Sequence, residues 1–387
     1  MYLIKKMFPT KKNTVLYHFK NFVDEYISEY PRKRNFDLGK EHLNVSRLSP
    51  YIRRRLVSEN EIIELALSQH SLRSLDKFIQ EIYWRTYWRG WLELHPKVYT
   101  EYDNANKTTD IPIKTGIKCF DYWTQELIET GYLHNHARMW YASIWIFTLN
   151  RPWEDGAKFF SEYLIDWCPA SNTLGWRWVA GLQTVGKNYL ATADNIKLFT
   201  NNRFNPKGQL TENHSPILSS KNLNEEVLDK ISYEKIIFNK LNFDRLGLVI
   251  TKNDLSLNNI LDKHNKNYAK CFFYNDSNTK SEIVKVFERE LCLNVTDELS
   301  DCELIENFDN LLMWAKNKQL NCLVFPYETI GTEILNNKIL LSKLQNNNIS
   351  YFFYLRDWDI YAFPFAKKGF FPFKKKIPDL LKLNGLL

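Results

Sequence analysis

Several patterns that mark common protein classes are missing from this 387-residue sequence. Its six cysteines form no CxxC pair and no regular spacing, which excludes a four-cysteine metal or iron–sulfur set and fits reduced thiols in the cytosol. The N-terminus lacks the apolar core of a signal peptide, and the longest nearly apolar run, residues 139–149, is too short to cross a bilayer. We therefore expect a cytoplasmic monomer without a membrane partner or a bound metal ion.

Two further absences concern nucleotide-binding folds and repeats. The sequence contains neither a GxGxxG nor a GxxxxGK(S/T) motif, so no standard phosphate loop supports a nucleotide site. No internal repeat is present, which excludes a solenoid.

Positive charge and tryptophan are both unevenly distributed. The formal net charge is +7, and the first hundred residues alone hold 18 Lys+Arg against 11 Asp+Glu. Ten of the 12 tryptophans lie between Trp84 and Trp178. The basic excess suggests a polyanion such as nucleic acid, or a solvated basic face. The tryptophan cluster suggests an aromatic-lined site, or a tryptophan-rich core.

Residue patterning divides the chain in two. Residues 1–200 are poor in proline and glycine, and apolar residues recur every three or four positions, which predicts helices at 15–28, 59–68, 75–94, 121–130, 134–148 and 153–164. Beyond residue 245, β-rich runs at 246–251, 271–274, 292–295, 322–325 and 350–355 alternate with helical stretches at 281–290, 306–318 and 332–345. This alternation predicts a parallel sheet with helical crossovers. We expect a helical domain over 1–205, a polar linker over 206–244 and an α/β domain over 245–387.

Two segments concentrate residues that are unusual for a plain core. In FIQEIYWRTYWRGW, Glu81, Trp84, Arg85 and Trp88 share one helix face, which indicates a ligand-filled cavity or a surface stripe with an ion pair. In LIDWCPASNTLGWRW, Asp166, Asn172 and the tryptophans around them suggest a polar clamp beside a stacking surface. Ser171 or Asn172 is the expected N-cap of the helix in this segment.

Two other segments add weaker signals. HLNVSRLSPY is a turn ahead of a helix, and its free backbone N–H groups suit a phosphate. In GYLHNHARM, His134 and His136 are two residues apart and lie on different sides of a helix, so we expect capping or solvent-facing histidines and no metal site.

Together these four segments resemble the helical FAD-binding domain of the DNA photolyase/cryptochrome family, in family order over roughly residues 8–200. The runs LGLVITKNDLSL, CLVFPYETIGTEIL and ISYFFYLRDWDIYAFPFAKKGFFPFKKK resemble the antenna domain of the same family. The implied fold is α + α/β, a helical photolyase-type domain followed by a five-stranded parallel-sheet Rossmann-like domain. Because the antenna domain comes first in ordinary members, the chain looks circularly permuted; an unrelated α/β domain is the alternative.

The resemblance implies FAD as the cofactor. Arg138 and Asp166 would pair beside the flavin ring, and Asn172 would lie near its N5 atom. Val45 stands where the family usually has threonine and Cys168 where it frequently has aspartate, so this sequence departs from the family pattern at two contacts. The implied FAD-binding residues are Tyr30, Val45, Ser46, Arg47, Leu48, Ser49, Arg85, Asn135, Arg138, Asp166, Cys168 and Asn172.

The resemblance also implies a substrate, UV-damaged DNA, and a light-driven reaction. The residues that match the pocket for a cyclobutane pyrimidine dimer are Glu81, Trp84, Asn135, Met139 and Trp178. A damaged pair stacks poorly and is cheaper to flip out of the duplex than a normal one. Arg34 and the run Arg53, Arg54 and Arg55 would bind DNA phosphates.

Electron supply and antenna complete the implied reaction. Trp153 and Trp176 match the inner members of the photoreduction chain, whose outer tryptophan is missing; Tyr99 or Tyr102 is close to that position in sequence. An antenna chromophore of unassigned identity is a second expected cofactor. The expected activity is that of a deoxyribodipyrimidine photolyase, with Glu81, Asn172, Trp153 and Trp176 in catalytic roles. A photosensor without repair activity stays open as an alternative, because the outer tryptophan is missing and the segment after Trp178 departs from the family pattern. A 6-4 photolyase is a further alternative.

Overall fold

The structure is a computed structural model that describes residues 7–108, 110–184, 186–211, 213, 228, 245–259, 268–275, 279–332 and 338–387. Its N-terminal part is helical. The helices are α1 (Lys12–Glu25), α2 (Tyr30–Lys33), α3 (Ser49–Arg53), α4 (Glu59–Leu67), α5 (Asp76–Leu94), α6 (Pro96–Asn104), α7 (Lys118–Thr130), α8 (Asn135–Ser143), α9 (Trp153–Tyr163), α10 (Pro169–Ala180) and α11 (Ala193–Phe199).

Local chemistry explains several helix ends. A capping box formed by Ser58 and Glu61 begins α4. Gly131, in the left-handed conformation, ends α7. A π-helical turn, Ile144–Thr148, continues α8, so the helix predicted over 134–148 is present with a wider last turn. The six helices predicted in this part are confirmed within a few residues at their ends.

The C-terminal part contains a five-stranded sheet in the order β3-β2-β1-β4-β5, and every neighbouring pair is parallel. The strands are β1 (Leu246–Thr251), β2 (Tyr268–Phe273), β3 (Cys302–Ile305), β4 (Cys322–Pro326) and β5 (Ser350–Tyr354), and α12 (Glu282–Glu298), α13 (Phe308–Asn317) and α14 (Lys338–Asn346) lie between them. Every residue of β1 is buried, as in the middle of a sheet covered on both faces. The predicted α + α/β fold class is confirmed.

Two local predictions are wrong. The run 292–295 is not a strand but lies within α12, and the third strand is Cys302–Ile305. Val284, Phe287, Leu291 and Val295 are all buried on α12, so helical spacing outweighs the local β propensity of the run. The helix of the LIDWCPASN segment begins at Pro169 with Cys168 as its N-cap, because proline at the first position fits a helix start.

The predicted linker, 206–244, lies largely outside the described residues, and the domain boundaries stay a prediction. The chain after β5 forms α15 (Asp357–Ala362), a 3-10 turn (Phe363–Phe365), α16 (Phe370–Lys374) and α17 (Ile377–Leu383). The first three of these elements pack on α5 of the helical part, and α17 packs on α15. The Trp358 ring stacks on Tyr83 at 4.6 Å between centroids, and its N–H donates to the Thr86 hydroxyl over 2.9 Å. Residue patterning did not predict this packing.

Gly90 of α5 allows the 3-10 turn to approach the helix. A Cβ at this position would lie 2.8 Å from Phe363 Cδ1 and 3.0 Å from the Cα of the same residue. We expect Gly90→Ala to lower the free energy of unfolding by about 1–3 kcal/mol, because backbone would have to move. Chemical denaturation measures this change. Gly369→Ala, where a Cβ meets open space, is the control and should change stability by less than about 0.5 kcal/mol; equal effects of the two substitutions would contradict the account.

Candidate functional site

The centre of the candidate site is an ion pair between α8 and the segment before α10. Arg138 donates from Nη2 to Asp166 Oδ2 over 2.8 Å, and Ser49, the first residue of α3, donates to the same oxygen over 2.5 Å. Burial alone would lower the pKa of Arg138, but the Asp166 carboxylate raises it. The structure therefore brings together three residues that lie far apart in sequence, each predicted to hold FAD.

The ion pair leaves hydrogen-bonding capacity for a ligand. Asp166 Oδ1 is buried and has no partner among the described residues. A buried carboxylate oxygen without a donor is costly, so a ligand with hydroxyl or N–H groups, as a flavin dinucleotide has, fits this position. The preceding loop turns sharply, with φ of 52° at Arg47. These features fit the predicted cofactor.

Other predicted cofactor residues surround this centre. Asn172 is buried on α10, and its amide donates to the Ala157 carbonyl over 2.8 Å, which fixes the orientation of the side chain. Burial would raise the pKa of Cys168, but nearby Arg85 and Arg53 outweigh it and the pKa is lowered. Tyr30 is buried, with its ring edge-on to Phe78. Val45 and Ser46 are partly exposed in the loop before α3, and Leu48 is buried there.

The predicted lesion pocket has a carboxyl group at its centre. Arg34 donates a hydrogen bond to Glu81 over 2.7 Å. Arg34 was predicted to bind DNA phosphates and Glu81 to contact the lesion, and in the structure the two side chains bind each other. Burial raises the pKa of Glu81, although Arg34 opposes this effect. A raised pKa favours the protonated form, which can donate a hydrogen bond.

The remaining pocket residues differ in exposure. Asn135 is exposed, and Met139, Trp84 and Trp178 are partly exposed. Phe370 covers one face of the Trp84 indole with 3.6 Å between centroids, and Tyr189 stacks on Trp178 at 5.5 Å. Tyr87 and Trp88 also lie beside Trp84, with 5.6 and 5.4 Å between ring centroids.

A row of aromatic side chains runs from α10 past α9 to α6. A Cβ at Gly156 would lie 2.2 Å from the Trp176 ring, so α9 needs glycine there to accommodate the indole. Trp153 lies on α9 three residues before this glycine and therefore on the same face. The ring of Tyr102 stacks on Trp153 at 5.5 Å, and Tyr99 lies 5.7 Å from Tyr102. Tyr102 is thus the aromatic neighbour of Trp153 that sequence reasoning left undecided.

The prediction that Arg54 and Arg55 bind DNA phosphates is wrong. Both are buried, at 2% and 5% exposure. Arg54 pairs with Glu288 of α12 and Arg55 with Asp359 of α15, each over 2.6 Å. Arg53 donates to the Trp167 carbonyl over 2.6 Å. Charge pattern alone could not show that a basic run lies between two parts of the fold, where carboxylates neutralise it.

Sequence reasoning missed a cavity of about 540 Å³ between the helical part and the sheet. Residues that follow β1 and β2, among them Lys252 and Asn275, line one side, and Tyr99 and Tyr102 of α6 line another. Ligand sites of parallel sheets lie at the carboxyl ends of the strands, and this rule could have indicated the location. Lys280 also lines the cavity; its ammonium lies 3.7 Å from the centre of the Trp167 ring and donates to the Ser161 carbonyl.

Burial lowers the pKa of Lys280 to about 7. An unfolded chain keeps this lysine protonated to higher pH, so between about pH 7 and 10 the unfolded state binds more protons at this site. We therefore expect the free energy of unfolding to rise with pH in this window, by up to about 1.4 kcal/mol per pH unit from this residue. Urea denaturation of Lys280→Met across the window should give a flatter profile than wild type. The exposed-site variant Lys316→Met is the control, and an unchanged slope in Lys280→Met would contradict the assignment.

Two findings concern metals and membranes. Within the described ranges, no group of three or more His, Cys, Asp or Glu side chains could hold a metal ion. His134 is buried and caps α8, its Nδ1 accepting from the His136 N–H over 3.2 Å, which confirms the capping expectation. None of the helices in the described part of the chain is long and apolar enough to cross a membrane.

A comparison of the sequence with known proteins agrees with the FAD site that the geometry indicates. Residues 78–237 match the profile of the FAD binding domain of DNA photolyase. These residues resemble the FAD-binding domain of the DNA photolyase/cryptochrome family. The matched residues include Glu81, Arg138, Asp166 and Asn172.

Individual relatives are distant. A deoxyribodipyrimidine photo-lyase of Alkalihalophilus pseudofirmus is 27% identical over 211 residues, 51% of this chain and 43% of the relative. One of Streptomyces griseus is 30% identical over 151 residues, 36% and 32% of the two chains. A bacterial class III photolyase from Agrobacterium tumefaciens, a solved structure, is 24% identical with a TM-score of 0.45 and covers 51% of this chain and 44% of its own. The chain thus spans less than half the length of each of these photolyases.

Proposed function

We propose that this protein is a light-driven DNA repair enzyme that uses FAD to split cyclobutane pyrimidine dimers. The observation that carries the proposal is the Arg138–Asp166–Ser49 cluster, in which Asp166 Oδ1 is buried without a partner among the described residues. Arg138 and Asp166 lie in the region that matches a photolyase FAD-binding domain. Ordered flavin contacts at that oxygen would satisfy it.

Each protein group has a role in this proposal. A bound, reduced flavin would supply an electron to the dimer on absorbing light and would take it back once the dimer has split, so that the reaction is redox-neutral overall. Asn172, held by its bond to Ala157, positions an amide beside the ring. Glu81, with its raised pKa, donates a hydrogen bond to a carbonyl of the flipped dimer and stabilises negative charge that develops there. Trp84 and Trp178 offer stacking surfaces for the bases.

A photosensor without repair activity is the second candidate. The contacts of Tyr189 support it. The Tyr189 ring stacks on Trp178, and its hydroxyl lies 3.2 Å from His136 Nε2. The segment after α10 therefore covers part of Trp178, which is proposed to face the lesion.

The choice between the two lesions rests on the family resemblance. In 6-4 photolyases, histidines stand at the positions of Asn135 and Met139, so the residues present here favour the cyclobutane lesion over the 6-4 product.

A repair assay separates these candidates. Purified, reduced protein is illuminated with blue light in the presence of oligonucleotides that carry one cyclobutane dimer or one 6-4 product. We expect restored thymines in the first and no change in the second. Repair of neither lesion, by a protein whose oxidised flavin is photoreduced under the same light in a separate sample, would overturn the enzyme proposal in favour of the photosensor.

We also propose that the cavity between the two parts of the fold holds the antenna chromophore. Its volume, its position at the carboxyl ends of the strands and its two tyrosines suit an aromatic ligand. The α/β region then corresponds to the family's antenna domain, placed after the helical domain by circular permutation. Mass spectrometry of small molecules released by denaturation tests this: a second chromophore beside FAD is expected, and its absence after expression in a pigment-producing host argues against it.

A further inference from the structure

We infer that the C-terminal segment forms a DNA-binding surface beside the proposed lesion pocket. We call this surface the C-terminal basic patch; it consists of Lys367, Lys368, Phe371, Lys374 and Lys375. The inference rests on the proposed function for the identity of the neighbouring pocket. It does not rest on the basic excess of the first hundred residues.

The charge of the C-terminal segment supports DNA binding. Residues 363–387 contain six lysines and a single acidic residue, Asp379. No carboxylate among the described residues pairs with the lysines of the patch, and all four are exposed or partly exposed. By contrast, Arg54 and Arg55 are neutralised by buried carboxylates. The lysines of the patch therefore remain free to meet a polyanion near α5.

Exposed aromatic rings are the second argument. Phe371 is 78% exposed and Phe365 is 42% exposed. Exposed phenylalanine next to lysine is the combination that binds unstacked nucleotides, because the ring stacks on a base while the ammonium groups meet phosphates. Flipping a dimer out of the duplex leaves unstacked bases next to the gap.

The position of the C-terminal basic patch beside α5 also supports DNA binding. Phe370, next to Phe371 in sequence, covers one face of Trp84, and the Lys368 carbonyl accepts from the Tyr87 hydroxyl over 2.8 Å. Phe373 packs between Tyr83 and Tyr87 with its ring 6.1 and 5.5 Å from theirs. These contacts fix the patch to the same helix that carries Glu81. A DNA strand that delivers a base to Trp84 would therefore run along these lysines.

The test uses binding of a labelled duplex, with and without one cyclobutane dimer, by fluorescence anisotropy at several salt concentrations. The patch variant is K367Q/K368Q/K374Q/K375Q, and the control K316Q/K318Q/K338Q/K343Q removes the same charge from helices α13 and α14 and the residue after α13. We expect the patch variant to bind both duplexes roughly 10- to 100-fold more weakly near physiological salt, with a salt slope smaller by about 3. The control should bind nearly as wild type does.

A second variant tests the aromatic contribution. F371S should weaken binding to the dimer-containing duplex by about fivefold or more and leave undamaged DNA unaffected, because only the damaged site offers an unstacked base. Circular dichroism and thermal unfolding of each variant establish that it is folded.

The outcomes separate this inference from the proposed function. If wild type repairs dimers and the patch variant binds DNA like the control, the inference is wrong and the function stands. If no repair occurs but the patch variant loses DNA binding, the inference stands and the repair proposal fails. Wild type that ignores DNA and binds phosphatidylserine vesicles through these lysines would overturn the DNA surface in favour of a membrane surface.

Discussion

Replacement of Asp166 by alanine is expected to leave the purified chain without FAD. The substitution removes the oxygen that accepts hydrogen bonds from both the Arg138 guanidinium and the Ser49 hydroxyl. It also removes Asp166 Oδ1, the buried oxygen that is proposed to accept a hydrogen bond from the flavin. Loss of one partner from a buried, hydrogen-bonded charged cluster costs about 2–5 kcal/mol of binding free energy, which corresponds to a Kd higher by about 30-fold or more. Titration of the apoprotein with FAD, followed by absorbance, measures the change.

The matched control breaks an ion pair at the surface. Asp110, whose side chain is 75% exposed, pairs with Arg151 over 2.7 Å. Asp110→Ala should bind FAD as wild type does, because exposed pairs contribute little. Retention of FAD with wild-type affinity by a folded Asp166→Ala protein would show that the flavin does not use this cluster.

Replacement of Trp153 by phenylalanine is expected to suppress most of the light-driven reduction of bound flavin. Trp153 lies on the face of α9 that holds Trp176, and Tyr102 stacks on its outer side at 5.5 Å. Phenylalanine is much harder to oxidise than tryptophan, so the electron route through this position ends. Tyr102→Phe should slow photoreduction to a smaller degree, since only the outermost member changes. Absorbance of the flavin under continuous blue light, with an external reductant present, gives the rates.

Trp91→Phe is the control for this series. Trp91 is also buried, but its ring stacks on His95 and belongs to a different hydrophobic cluster of the molecule. It should photoreduce at the wild-type rate. A Trp153→Phe protein that photoreduces as fast as this control would contradict the assigned route.

Patterns within single elements were predicted well. Alternation of short β-rich runs with helices indicated the parallel sheet, and the helix over 75–94 was confirmed as Asp76–Leu94, because helical spacing depends on local sequence. The strand prediction at 292–295 failed because this short run lies inside a longer amphipathic helix, which buries Cys292 and Val295.

Contacts between distant elements could not be predicted in the same way. Nothing near Arg55 in sequence indicates that Asp359 will neutralise it, and nothing near Gly90 indicates that Phe363 will press against it. Candidate site residues such as Arg138 and Asp166 were assigned through resemblance to a family, and the structure joins those two. The cavity lined by Lys280 depends on how the helical part packs against the sheet. No single segment of the sequence carries information about that packing.

The flavin content of the purified chain shows directly whether this protein binds FAD. After incubation with FAD and removal of the excess, the protein should retain close to one FAD per chain. Absorbance of the folded sample and mass spectrometry of the cofactor released by denaturation give this ratio. A folded, colourless protein that takes up no FAD would contradict the account.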